Sequence, residues 1–218
     1  MNYLISGSSG LVGSQLLEQL LNDPATSFVV SLGRKKLTVS HPKLIQIEVD
    51  FSQLSNLALD HQIDIAFCAL GTTIKKAGSK EKQIEIDKTY VVNFAACAKQ
   101  NGAKKIAVVS SLGSKASSSN FYLRVKGEME QEVQALGIEN TVFIRPSMLL
   151  GDRKEYRFGE KVGAILLKIF QPLLIGSWKK YRGVNVRDVA RTLINKTKNA
   201  VKPLTIIESN QILKQPSH

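Results

Sequence analysis

The chain has two cysteines in 218 residues. Cys68 lies in an apolar run and Cys97 in a helical pattern, and neither has metal-ligand or redox-motif spacing, so both read as small buried residues and no metal site is expected. No apolar run approaches about 18 residues, which argues against insertion into a membrane. The opening MNYLISGSSG is a short strand-like run without the charged start and cleavage site of a signal peptide. The expectation is a soluble, cytoplasmic protein. Acidic residues are also few, 18 against 30 basic, and the net charge of +12 raises nucleic acid as a partner. The bases are spread along the chain at Lys35–Lys36, 75–82, Lys104–Lys105 and 179–182, with little aromatic interleaving. That distribution describes a solvated basic surface that attracts anionic ligands, and nucleic acid is not the expected partner.

What is present is alternation. At 43% hydrophobic content the chain can bury a full core as one domain over residues 1–218. No internal repeat and no linker divides it, and the one low-complexity patch is the serine-rich stretch Ser110–Ser119. Short β-rich runs at Tyr3–Ser6, Phe28–Leu32, Leu44–Val49, Ile63–Leu70, Ile106–Ser110, Thr141–Ile144 and Leu204–Glu208 are candidate strands. Between them, Leu11–Leu21, Glu85–Gln100 and Phe121–Leu136 carry apolar residues at helical spacing. Asn22-Asp23-Pro24, Gln100-Asn101-Gly102 and Gly137 supply helix stops. This order predicts an α/β protein, a doubly wound parallel sheet flanked by helices on both faces.

The first strand-to-helix turn reads YLISGSSGLVGSQLLEQL, with Gly7, Gly10 and Gly13 in G-x-x-G-x-x-G spacing. In that context glycine permits a tight turn and close approach of backbone amides to a pyrophosphate at the helix N-terminus. Residues 7–13, namely Gly7, Ser8, Ser9, Gly10, Leu11, Val12 and Gly13, are the candidate dinucleotide turn. The second strand ends in Arg34, Lys35 and Lys36, with no acid for a ribose hydroxyl. A guanidinium fork there suits the 2′-phosphate of NADP(H); the alternative is a solvated basic turn. Asp50 and Phe51, after the third strand, either border an adenine ring or cap a short helix.

Residues 120–128, NFYLRVKGE, set Tyr122 and Lys126 four apart on one helix face. With five tyrosines and 22 lysines, chance supplies such a spacing roughly half the time, so placement has to carry the weight. The glycine turn, the Asp50-Phe51 pair and a Y-x-x-x-K after a serine-ended fifth strand resemble the short-chain dehydrogenase/reductase superfamily, in particular its atypical members. CALGTTIKKAG, SSLGSKASSSNFYLRVKGEME, FIRPSMLLGDR, LIGSW, VNVRDVARTLI and the closing IESNQIL resemble the Tat-interacting-protein family and its bacterial homologues. Those are small proteins often labelled nucleoside-diphosphate-sugar epimerase or semialdehyde-dehydrogenase-like. The resemblance runs almost end to end.

It implies a Rossmann NAD(P)-binding fold and a Ser-Tyr-Lys site. Tyr122 would be the general acid/base toward a carbonyl oxygen. Lys126 would lower the tyrosine pKa and hold the nicotinamide ribose. Ser111 would hydrogen-bond the reacting oxygen, with Ser110 as the other register of VVSSLG. Gly71 and Thr72 would lie along the adenosine ribose, and Pro146 and Ser147 against the nicotinamide carboxamide. Asp87 stands where many relatives carry an asparagine that anchors a proton relay; it is expected to cap or solubilise its helix instead. Only about 70 residues follow Pro146, so a small substrate-side elaboration at 147–203, with one helix around Ala164–Phe170, replaces a full second domain. The pocket is then small or shared with a partner, as in a homodimer. Arg153, Arg157 and Arg182 either grip an anionic small-molecule substrate or stand in solvent. The implied activity is an NADP-dependent oxidoreductase; the alternatives are an NADP(H)-binding regulator and, last, a nucleic-acid-binding protein.

Overall fold

The computed structural model describes residues 1–54, 57–151 and 182–212. The expected helix around Ala164–Phe170, Arg153, Arg157 and most of the 147–203 elaboration lie outside the described residues. Elements follow the sequence order: β1 (Asn2–Ser6), α1 (Leu11–Asn22), β2 (Phe28–Gly33), β3 (Leu44–Glu48), β4 (Ile65–Cys68), α2 (Ile74–Ala77) and α3 (Lys80–Ile84). A π-helical segment (Glu85–Thr89) leads into α4 (Tyr90–Gln100), then β5 (Lys105–Val109), α5 (Phe121–Ala135) and β6 (Asn140–Arg145). β7 (Leu149–Leu150), β8 (Val184–Asn185), α6 (Val186–Lys198) and β9 (Leu204–Glu208) complete it.

Seven strands form one sheet in the order β3-β2-β1-β4-β5-β6-β9, every neighbouring pair parallel. β7 and β8 pair separately. All seven sequence-derived strands are present, and the helix stops act as read: Gly102 and Gly137 take φ of +91° and +66° past α4 and α5. The expected helix over Glu85–Gln100 is interrupted. Its first turn is π-helical and a separate α3 precedes it, so the helical face shifts in phase at Asp87.

The alternating strand pattern splits the core into two layers. Tyr3, Ile5, Phe67 and Val142 face α1 and α6, packing with Leu16, Leu20, Val189 and Leu193. Leu4, Cys68, Ile106 and Phe143 face α4 and α5, packing with Val91, Phe94, Met129 and Val133. Each such side chain contributes roughly 1.5–3 kcal/mol of burial. Cys68 and Cys97 are both free and buried, as expected. Because every sheet strand points the same way, the segments following β1 to β6 and β9 leave from one edge, and the order reverses between β1 and β4. That reversal opens the crevice in which such sheets hold ligands.

Candidate functional site

The glycine turn leaves β1 at that crevice. Gly7 takes φ of +78°, and a Cβ on it would come within 2.5 Å of the Ala69 carbonyl at the exit of β4. A Cβ on Gly13 would lie 2.0 Å from the Gly7 carbonyl oxygen, so α1 packs against the turn with no room for a methyl group. Gly10 is the exposed member; a Cβ there meets only the Gly7 carbonyl, at 3.1 Å. As N-cap it gives α1 no side-chain cap, and the first turn carries no acid. Ser8 is buried with its Oγ 2.7 Å from Ser31 Oγ on β2, which ties the turn to the sheet. Val12 is buried, and Ser9 is exposed beside Gly10. A closely packed turn with an uncapped, positively polarised helix end fits the pyrophosphate of a dinucleotide.

The other cofactor candidates leave the same edge. Arg34 and Lys35 are exposed immediately after β2. The Asp50 carboxylate accepts from the Ser52 amide at 2.9 Å and the Ser52 hydroxyl at 2.8 Å, closing the turn that follows β3. Phe51 is 3% exposed and stacked on Tyr90 with centroids 5.6 Å apart; its ring belongs to the core layer. Gly71 and Thr72 follow β4 and Pro146 follows β6, its carbonyl accepting from the Leu112 amide at 3.0 Å. Ser147 donates to the Arg182 carbonyl and lies 2.8 Å from Ser209 Oγ, joining β6, β9 and the approach to β8. Arg182 is half-buried, not a freely solvated arginine.

The serine-rich stretch is folded onto α5. Asn120 caps the helix by accepting from the Leu123 amide at 3.1 Å, the Lys115 amide donates to the Leu123 carbonyl at 3.2 Å, and Arg124 donates to the Ser118 carbonyl at 3.1 Å. Gly127 makes this possible: a Cβ there would be 2.2 Å from the Ala116 amide nitrogen. Ser110 is 4% exposed and its Oγ lies 3.0 Å from Ser114 Oγ. Ser111 is half-buried, its carbonyl accepting from the Ser114 hydroxyl at 2.7 Å. Tyr122 is half-buried in the first turn of α5, and Lys126, one turn on, is 2% exposed.

Asp87 departs from its expected role. It neither caps nor solubilises; it is 0% exposed, and its Oδ1 lies 2.8 Å from Lys126 Nζ. The Thr72 amide also donates to it, at 3.3 Å. Burial works against the Lys126 charge, but the Asp87 carboxylate, with help from Tyr122, outweighs it and holds the ammonium above the ordinary lysine range. The π-helical phase shift turns Asp87 inward. A sequence signal was present: Asp87 shares helical spacing with Val91 and Phe94, both 0% exposed. A second pair escaped the sequence reading altogether. Arg145, ending β6, donates to Glu130 Oε1 from Nε at 3.0 Å and to Oε2 from a second nitrogen. Glu130 follows Lys126 by one turn, so Tyr122, Lys126 and Glu130 form a polar ladder down α5.

Comparison with known proteins agrees with this geometry. A family model described as NAD(P)H-binding matches residues 7–165. The chain is 37% identical to Protein HTATIP2 of Rattus norvegicus over 217 residues, covering 96% of this chain and 86% of that protein. It is also 37% identical to Protein FMP52, mitochondrial, of Candida albicans over 188 residues, covering 83% and 77%. Among solved structures, the UDP-glucose 4-epimerase of Thermotoga maritima with UDP-glucose superposes with a TM-score of 0.71 at 16% identity, over 95% of this chain and 77% of that one. MoeE5 in complex with UDP-glucose and NAD gives 0.69 at 14%, over 97% and 79%. These last two likenesses speak for the Rossmann fold. The chain belongs to the NAD(P)H-binding family and, within it, to the group of HTATIP2 and FMP52.

Proposed function

We propose that the chain is an NADP(H)-dependent oxidoreductase acting on a small carbonyl or alcohol compound. The observation that carries this reading is the buried Lys126–Asp87 pair one turn below Tyr122, at the sheet edge where the glycine turn opens. The turn residues Gly7–Gly13 would hold the cofactor pyrophosphate. Arg34 and Lys35 would hold its 2′-phosphate, and Gly71, Thr72, Pro146 and Ser147 would line the remainder. When bound, the cofactor supplies or accepts hydride. Tyr122 donates its phenolic proton to the substrate oxygen in reduction and takes it back in oxidation. Ser111 orients that oxygen. The Lys126 ammonium, fixed by Asp87, stabilises the phenolate left on Tyr122 without itself needing to move.

The test is consumption of NADPH against a panel of small aldehydes and ketones, with the Tyr122→Phe variant alongside. One observation favours a second reading, a cofactor-dependent regulator without turnover: the Lys126 charge is already answered by Asp87. In that case a partner protein's affinity would follow cofactor occupancy while no carbonyl compound consumed NADPH.

A further inference from the structure

Gln83 on α3 is 2% exposed, and its Oε1 is buried with no hydrogen-bond partner among the described residues. Its backbone is satisfied, the amide donating to the Ser79 carbonyl at 3.1 Å, so the unanswered group is the side chain. Buried acceptors without partners are rare in folded proteins, because each has given up water for nothing. Thr26 Oγ1 is another among the described residues, but Thr26 precedes β2 at the opposite edge of the sheet.

Two contacts fix the level of Gln83. Three residues earlier, Lys80 Nζ sits 5.5 Å from the centroid of the Phe121 ring. Four residues later, Asp87 meets Lys126 at 2.8 Å. Phe121 and Lys126 flank Tyr122 on α5. The α3–π segment and α5 each follow a strand of the parallel sheet, and these two contacts bracket Gln83 along α5 between Phe121 and Lys126. An apolar side chain of the same size would be more stable there in the free protein. The amide makes sense as a group that a ligand completes.

An orphaned carbonyl oxygen asks for a donor, which a carboxylate or phosphate cannot supply and a hydroxyl can. We propose that Gln83 is a substrate-recognition residue that accepts a hydrogen bond from a substrate hydroxyl, so that the site takes hydroxylated carbonyl compounds of the aldose or hydroxyketone type. This rests on the oxidoreductase reading and narrows its substrate class. A site built to bond a hydroxyl discriminates strongly against the analogue without one, because the polar group is then left unpaired.

The experiment compares the unmodified protein with Gln83→Met, an apolar replacement of similar volume. NADPH oxidation is followed with D-glyceraldehyde against propanal and D-erythrose against butanal, together with NADPH affinity and the thermal midpoint. The unmodified protein should favour the hydroxylated member of each pair, and Gln83→Met should lower kcat/KM for that member by about tenfold while leaving the plain aldehyde unchanged. NADPH affinity should not move, and the midpoint should rise by about 2–4 °C as the orphaned acceptor is removed. Turnover of both members without preference, a preference that survives Gln83→Met, or a lowered midpoint would overturn the assignment of Gln83 while leaving the oxidoreductase reading standing. Absence of turnover with all four aldehydes in the unmodified protein would take down both.

Discussion

The Asp87 carboxylate stands 2.8 Å from the Lys126 ammonium with both side chains out of solvent, and a Cβ on Gly71 would meet them at 3.2 and 3.7 Å. Lys126 therefore reaches the candidate site already paired, and its charge is held at a fixed point one turn below Tyr122.

Breaking the pair from one side leaves a buried charge unanswered. Asp87→Asn should lose about 3–5 kcal/mol of stability in urea denaturation at neutral pH. Asp87→Asn combined with Lys126→Met should recover most of that loss, because the second change removes the orphaned ammonium. Equal destabilisation in the single and double variants would mean that the pair is not coupled.

The same pair has a pH signature whose sign follows from linkage. The Lys126 value is raised above the ordinary 10.5 in the folded protein, so its contribution is complete below that value and is lost as pH rises through the raised one. The stability difference between the unmodified protein and Lys126→Met should be flat from neutral pH to about pH 9 and shrink in more alkaline solution. A difference that grows with alkalinity would contradict the pairing.

Two glycines should separate cofactor binding from chemistry. Gly13→Ala drives a methyl group to 2.0 Å from the Gly7 carbonyl and should weaken NADPH binding together with stability. Gly127→Ala drives one to 2.2 Å from the Ala116 amide and should displace the serine loop from α5. Turnover should fall there by at least about tenfold while cofactor affinity, read by fluorescence titration, changes little. Parallel loss of both properties in both variants would show that the loop and the turn are one unit.

The strands and the glycine turn were legible because their signals are local: β-branched runs between helical patterns, and glycines at a spacing with one structural use. Tyr122 and Lys126 were legible from the helical period and a resemblance. Asp87 was not. Its helical spacing with Val91 and Phe94 marks an inward face, but its partner lies 39 positions away, so the pairing that decides its role has no local signal. Phe51 was ambiguous for a related reason: only the tertiary fold sets its ring on Tyr90. Glu130 and Arg145 drew no reading, because their pairing exists only once β6 and α5 are packed together.

Cofactor choice rests on the basic turn after β2. Arg34→Ala should weaken NADPH binding by roughly tenfold and leave NADH unchanged, since only the former carries the 2′-phosphate. Equal affinity of the unmodified protein for the two cofactors would refute NADP preference.

The most direct test is Tyr122→Phe, which removes one oxygen and nothing else. NADPH-dependent reduction of a carbonyl substrate should fall by about 10²–10⁴-fold with NADPH affinity within about twofold of the unmodified protein. Unchanged turnover in Tyr122→Phe would contradict the assignment of Tyr122 as the group that moves the proton.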